Sequence, residues 1–539
     1  MKKNRLKKFL TGLLCACTVI AGAQFAAKSV PGEVAEAAAL YRPVTIQSAL
    51  IEGNQVVVRT SSAAVPAGDG TFYLFSNEVY QDGPVGKVIA TAPASKNAVF
   101  SFPLAYNTAE SNLDRKFIVA VKQNGGWVQV SHEHYITNPE ALAKFTMPRM
   151  QVGIKGYFPD ITKADVYADA AKLGVQQIVY NLPIGALTGS GINYVYDGQT
   201  YSFNAQTVAI YDAMFKQWNK MGISVTLTLL NDNSSPADLK HPDSRNGFAG
   251  RGYAFNTAEP AGVKHLAAVA AFLGEHYSGA NGMAQVDNWV IGNEINARTE
   301  WYYLPSTNLE YNVSAYIKAF RIFYNGIKSK NANANIYNSL DQEWQRKSNP
   351  GCFLSKDYLD QFNADILREG NIDWGLSFHP YNTPLYDPMA WRQLGSLLNN
   401  TVRTKYITME NFHILVDYMH QPQFLAPNGK VRDISISEIG YTSSYGEDKQ
   451  YASLAYGYQM AASFPEVSAF MYFRQTDEQS EVNAHLAQGL YALNGHRKAA
   501  YDLYRVLGTP QAGPALNKAS SIIGTDVNQL VASRAVHTR

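Results

Sequence analysis

Cysteine is nearly absent. The chain of 539 residues has three, and two of these, Cys15 and Cys17, fall in its leading segment. Without that segment Cys352 stands alone, so no internal disulfide is available and stability must come from a packed core. Charge is also scarce, at 17% of residues with a net of +2. Such a balance gives no reason to expect nucleic acid or an anionic membrane surface as partner. The sequence lacks GxGxxG, a Walker loop, HExxH, paired CxxC and an EF-hand loop, and it lacks a GxSxG elbow. Neither a metal nor a cofactor is therefore expected. "SHEHY" (131–135) places two histidines on one side of a strand, but no carboxylate or cysteine partner set accompanies them. They read as solvent-facing polar residues.

What is present is apolar and aromatic. Hydrophobic residues make up 46% and aromatics 12%, with 34 tyrosines. That content is ample for a large core, and it leans towards polar ligands with apolar faces. At the start, "MKKNRLKK" followed by "FLTGLLCACTVIAGA" and small residues reads as a secretory signal peptide, cleaved after Ala23 or as late as residue 39. The apolar run is too short for a comfortable membrane span. Lipoprotein processing at Cys17 is the alternative; in either case a secreted or surface-attached protein is expected, as a monomer.

From 41 to 137 short alternating runs ("NQVVVRT", "GTFYLFSN", "GKVIATA", "NAVFSFPL", "RKFIVAVKQ", "GWVQVS") are separated by Gly, Pro, Asn and Asp, which predicts a small β-sandwich domain. Residues 138–150 read as a linker. From 151 to 510 the rhythm changes to eight apolar strands, "QVGIKGYF", "VQQIVYNLP", "SVTLTLL", "NWVIGNE", "ANIYNSL", "DWGLSFHPY", "DISISEIGY" and "SAFMYFRQ", alternating with helical stretches, several closed by glycines such as Gly174 and Gly222. Eight such units predict an α/β fold, a (β/α)8 TIM barrel. Residues 511–539 read as a C-terminal tail.

A barrel collects its reactive groups at the C-terminal ends of its strands. Those ends carry Asn231 and Asp232, then Asn293-Glu294, Asp341 to Trp344, His379-Pro380-Tyr381, Glu438, and Arg474. Glu294 and Glu438 stand out, each closing an apolar strand with little else ionisable in it. Two carboxyls across one cleft suit glycosidic bond cleavage: one gives its proton to the leaving oxygen, the other attacks or activates water. Trp301 and Trp344 offer faces for stacking on sugars. Glu343 is a further candidate acid in the cleft. Glu410, in "ITMENF", is a rival to Glu438 but falls in the long loop after the sixth strand.

With "GNE" ending the fourth strand, "HPY" the sixth, "SEIGY" the seventh and "GLYALNGHRKAAYDLYR" closing the barrel, the chain resembles the clan A retaining glycoside hydrolases. Within them it looks similar to a bacterial group of barrel proteins with no assigned activity. The resemblance implies Glu294 as acid/base, Asn293 as the amide holding the sugar 2-hydroxyl, Glu438 as nucleophile, Tyr381 as its orienting group and His379 as a residue lining the subsite. It covers about 151–508. Two departures accompany it. "MYFRQTDE" lacks the tryptophan usual at the eighth strand, and Asn181 in "VYNLPIG" stands where one large branch has arginine beneath the nucleophile. The expectation is a secreted glycoside hydrolase acting on a polysaccharide or oligosaccharide. The alternative is a non-catalytic carbohydrate-binding or cell-surface protein on a degenerate barrel.

Overall fold

The computed structural model describes residues 42–247 and 250–536. The expected signal peptide and Cys17 lie outside the described residues.

The first unit is built of β1 (Val44–Glu52), β2 (Gln55–Ser62), β3 (Thr71–Asn77), β4 (Lys87–Pro93), β5 (Val99–Pro103), β6 (Lys116–Gln123), β7 (Gly126–Gln129) and β8 (His134–Tyr135). One sheet runs β1-β2-β5; the other runs β4-β3-β6-β7 with β8 paired to β6. Alternation makes the sandwich: on β2, Val56, Val58 and Thr60 are buried while Gln55 and Arg59 face out. Val56, Val58, Phe72, Leu74, Phe117 and Val119 fill the space between the sheets. β1 is not among the runs legible in the sequence, because its register shifts between Ile46 and Ser48 and breaks the period.

The second unit follows as β9 (Lys155–Tyr157), α1 (Val166–Leu173), β10 (Gln177–Pro183), β11 (Gly191–Tyr196), β12 (Gln199–Asn204), α2 (Ala205–Lys220), β13 (Ser224–Leu230), α3 (Pro260–His276), β14 (Asn288–Ile291), α4 (Leu309–Lys328), β15 (Asn335–Asp341), α5 (Ser355–Arg368), β16 (Gly375–His379), α6 (His413–Met419), β17 (Ile434–Ile439), α7 (Glu447–Ala462), β18 (Val467–Tyr472), α8 (Gln479–Asn483) and α9 (Ala499–Val506). β9, β10 and β13 to β18 close into a barrel of eight strands, every neighbour pair parallel. The fold is thus the predicted (β/α)8 barrel preceded by antiparallel sheets. Helix ends obey local chemistry. Asn204 accepts from the Gln206 and Thr207 amides to cap α2, and Gly174 takes the left-handed conformation after α1 that a side chain resists.

Along the barrel strands Leu227, Leu229, Ile291, Leu376 and Ile436 join the core shared with the helices. Val179, Ala469 and Met471 form a separate cluster, on the alternate positions that face the barrel axis. Gly156 admits Met471 there, since a Cβ on it would lie 2.3 Å from the sulfur.

The β11–β12 hairpin is absent from the sequence reading although its signal was available. Asp197-Gly198 has positive φ at both positions, 48° and 73°, the geometry of the type I′ turn that an Asp-Gly pair favours. Residues 511–539, read as a tail, carry α10 (Gly513–Ile523) and α11 (Val527–Arg534). These dock on α7 through Tyr451 to the Ala515 carbonyl at 3.1 Å and Gln459 to Asn528 at 2.8 Å. No helix of the described residues is long and apolar enough to cross a membrane.

The two units meet on α4 and on the turn after α5. The Arg321 guanidinium lies 4.6 Å over the Tyr135 ring, and Asn325 donates to the Leu113 carbonyl at 3.0 Å and to Asp114 at 3.1 Å. His134 departs from the solvent-facing reading. It is buried against Gly370, and burial holds its ring down to about 4, hence neutral.

At the same seam burial lifts the Asp114 carboxyl to about 7, with help from the neighbouring charge of Asp197. A carboxyl raised in the folded state stabilises at low pH and progressively less as pH climbs from its unfolded value, ~3.9, towards the folded one. Asp114→Asn, whose amide oxygen can still accept from Asn325, is expected to raise the melting temperature by ~2–4 °C at pH 8 and to leave it unchanged at pH 4, in a calorimetric pH series.

Candidate active site

β14 ends at Ile291, and the chain leaves the strand through two positive φ angles, 78° at Gly292 and 39° at Glu294. The first is free for glycine. The second costs a side-chain-bearing residue of order 1–3 kcal/mol and persists only where the surroundings enforce it. Here β15 enforces it: the Glu294 amide donates to Ser339 Oγ at 3.1 Å and the Ile295 amide to the Ser339 carbonyl at 3.0 Å.

The carboxyl so placed meets β16. Glu294 Oε1 lies 2.8 Å from His379 Nδ1, and His379 Nε2 lies 2.9 Å from Ser437 Oγ on β17. The next residue is Glu438, whose Oε1 accepts from the Tyr381 hydroxyl at 2.8 Å. One imidazole therefore ties the strand end bearing the first glutamate to the strand bearing the second. The order Ser437, His379, Glu294 is that of an acyl-transfer triad. Ser437, however, is only 4% exposed, and its hydroxyl is hydrogen-bonded to Ser377 at 2.5 Å, so it has no open face for a substrate carbonyl.

Electrostatics separates the two glutamates. Burial, reinforced by the Glu300 and Glu343 charges, pushes Glu294 up to about 8, against a hydrogen bond from Trp301. Burial also raises Glu438; a protonated His379 would pull it down, a charged Glu294 pushes it up, and the Tyr381 hydroxyl and the Arg474 guanidinium pull it down. A protonated Glu294 exerts no such push. Glu438, which has the phenol donor and the guanidinium nearby, is thus the first of the pair to ionise. His379 is shifted down by burial and is neutral.

Asn293 is 8% exposed, and its side-chain amide has no hydrogen-bond partner among the described residues, which leaves it for a ligand. Trp301 remains at the site, its ring facing Arg251 at 5.7 Å. Arg474, just beyond β18, pairs with Glu481 on α8 (Gln479–Asn483) at 3.4 Å.

Other candidates are placed elsewhere. Trp344 is fully buried, its indole donating to the Val402 carbonyl at 3.1 Å and its ring against Tyr418, so it cannot stack on a sugar. Asn231 is buried and spends its amide on the Leu239 and Ala254 carbonyls at 2.9 and 3.0 Å, bracing its own loop. Asp232 closes a turn on the Ser234 amide at 2.9 Å. Glu343 binds the Ser348 amide and reaches the site by its charge. Glu410 accepts from the Gln393 and Leu394 amides and faces Arg534 at 3.4 Å, a role in loop architecture. Among the described residues no three His, Cys, Asp or Glu side chains form a group able to hold a metal ion.

Sequence reading missed Ser339, Ser377, Ser437 and Glu481. Ser437 had a signal. In "ISISEI" it and Ser435 alternate with isoleucine, and in a barrel that pattern puts hydroxyls inside. Glu481 had none, since it lies on a short helix past the last strand.

The chain belongs to a family of unknown function, DUF5722, which matches residues 148–530. No curated protein matches it. Among solved structures it is similar to a beta-glucuronidase from Ruminococcus gnavus, at 10% identity and a TM-score of 0.35 over 86% of this chain and 67% of that one. It is also similar to an FMN-binding beta-glucuronidase from Facaelibacterium prausnitzii L2-6, at 12% identity and a TM-score of 0.34 over 86% and 61%.

The reassignment of Trp344 is open to test. Trp344→Ala should cost ~3–5 kcal/mol of stability, the usual penalty for a large aromatic removed from a core. Denaturant unfolding reads that loss; a surface platform would show almost none.

Proposed function

We propose that the barrel is a retaining glycoside hydrolase, with Glu438 as nucleophile and Glu294 as acid/base. In the first step the Glu438 carboxylate forms a bond to the anomeric carbon while the glycosidic C–O bond breaks, and Glu294 gives its proton to the departing oxygen. In the second, Glu294 takes a proton from water as that water displaces Glu438. Asn293, with its unengaged amide, is suited to hold a sugar hydroxyl beside the acid, and Tyr381 fixes the attacking oxygen.

The observation that carries this reading is the unequal setting of two half-buried glutamates on facing strand ends. One is kept protonated by burial and neighbouring acids; the other is offered a phenol and a guanidinium. Two carboxyls pushed apart in this way mark an acid and a nucleophile. The substrate is taken to be an oligosaccharide or polysaccharide, met outside the cell if the leading segment is a signal peptide.

A panel of aryl glycosides and polysaccharides, assayed for released phenol and reducing ends, supplies the test. Glu294→Gln and Glu438→Gln should each lower kcat by at least ~10³ with an unchanged circular dichroism spectrum, and the first-formed sugar should keep its anomeric configuration by proton NMR. Since Glu294 must be protonated to act, kcat/KM should fall as pH rises through about 8. Inverted product, or either mutant at wild-type rate, defeats the assignment. Tight glycan binding with no turnover would instead favour a carbohydrate-binding protein on the same barrel.

A further inference from the structure

We propose that Glu481 is a positioning residue: it pins the Arg474 guanidinium on the neighbouring strand end to Glu438, where its positive charge favours the nucleophile's carboxylate. This rests on the assignment of Glu438 above.

Strand register brings the groups together. Tyr472 on β18 pairs with Ile439, the neighbour of Glu438, and the Phe473 amide donates to the Ile439 carbonyl at 2.7 Å. Arg474 is the next residue. Its side chain is 7% exposed and lies against the Phe473 and Phe158 rings at 5.2 and 5.8 Å. Apolar rings hold a guanidinium in place without neutralising it.

Four carboxyls feel the charge of Arg474: Glu438, Asp477, Glu478 and Glu481. Two of these are occupied otherwise. Asp477 is paired with Lys498 at 2.7 Å, and Glu478 caps α8 by accepting from the Ser480 and Glu481 amides at 2.8 and 3.2 Å. The charge of the guanidinium is left to Glu438 and Glu481, and of these two it is Glu481 that lies within ion-pairing distance, at 3.4 Å.

Those two are not equal claimants. Glu481 has a side-chain exposure of 2% and meets Arg474 through Oε1 alone. Its Oε2 is buried with no partner among the described residues, a costly place for a full negative charge. Burial lifts this carboxyl to about 8. A neutral Glu481 still accepts a hydrogen bond through Oε1, so it fixes where the guanidinium sits and leaves the positive charge to Glu438. The cation here comes from the strand that lacks the expected tryptophan, and the second strand offers Asn181 in place of arginine.

The test needs no substrate. The full chain is labelled with ¹³C at the glutamate side-chain carboxyl, the Glu438 resonance is assigned by its loss in Glu438→Gln, and its titration is followed by NMR. Arg474→Gln and Glu481→Ala should each raise the Glu438 midpoint by about one unit, the scale on which a nearby opposite charge acts. Glu481→Gln, whose amide oxygen still accepts from Arg474, should keep the midpoint near wild type. If Glu481→Ala fails to fold, Glu481→Met, which fills the space without accepting, takes its place. On any glycoside the enzyme cleaves, the acid limb of kcat/KM should move up in the same variants. An unmoved Glu438 midpoint in Glu481→Ala or Glu481→Met overturns the proposal whatever happens to activity. A protein that hydrolyses nothing counts against the hydrolase reading and leaves the NMR result decisive.

Discussion

The contact on which the site depends is the imidazole of His379, shared between Glu294 and Ser437. A neutral ring buried at a strand end must find partners for both nitrogens, or pay for an unsatisfied polar atom in a dry interior. Here one nitrogen meets the carboxyl of the first glutamate, and the other meets the hydroxyl next to the second. The geometry across the cleft is thereby fixed by one rigid side chain on β16, and a shift of either neighbouring strand end would leave a buried nitrogen unpaired.

Around that ring the barrel supplies polarity where most cores have none. Ser339, Ser377 and Ser437 are all fully buried or nearly so, and each hydrogen-bonds either to a neighbouring strand or to the site. Small hydroxyl side chains satisfy backbone and imidazole alike without filling the space that larger residues would take. The positive φ of Glu294 belongs to the same design, since two hydrogen bonds to Ser339 hold a conformation that residue would otherwise avoid.

Much of this was legible in the sequence because barrel strands are short apolar runs with distinct ends. All eight could be marked, along with Glu294, His379, Tyr381 and Glu438, which the fold brings together, since each sits at a strand's last residue or within three of it. What was illegible depends on contacts far apart in the chain. Trp344 looks like a stacking surface in "DQEWQ", and only the approach of Val402 and Tyr418 turns it into core. Asn231 and Asp232 close strand β13 as a site residue would, yet their partners lie in the loop they begin. Glu481 is ordinary in sequence and becomes informative only beside Arg474. The β11–β12 hairpin differs, since the Asp-Gly pair that makes its turn is a local signal.

The bond between Glu410 and Arg534 has a consequence in time. Arg534 holds Glu410, Glu410 holds the Gln393 amide, and Gln393 accepts from the Thr383 amide at 2.8 Å, two residues from Tyr381. The loop after β16 is therefore tied to a helix synthesised after every barrel strand. A chain emerging from a ribosome would have all eight barrel strands before it had this latch. Glu410 would gain its ion partner only once α11 was free to dock, so the loop it braces is the last part of the barrel to be completed.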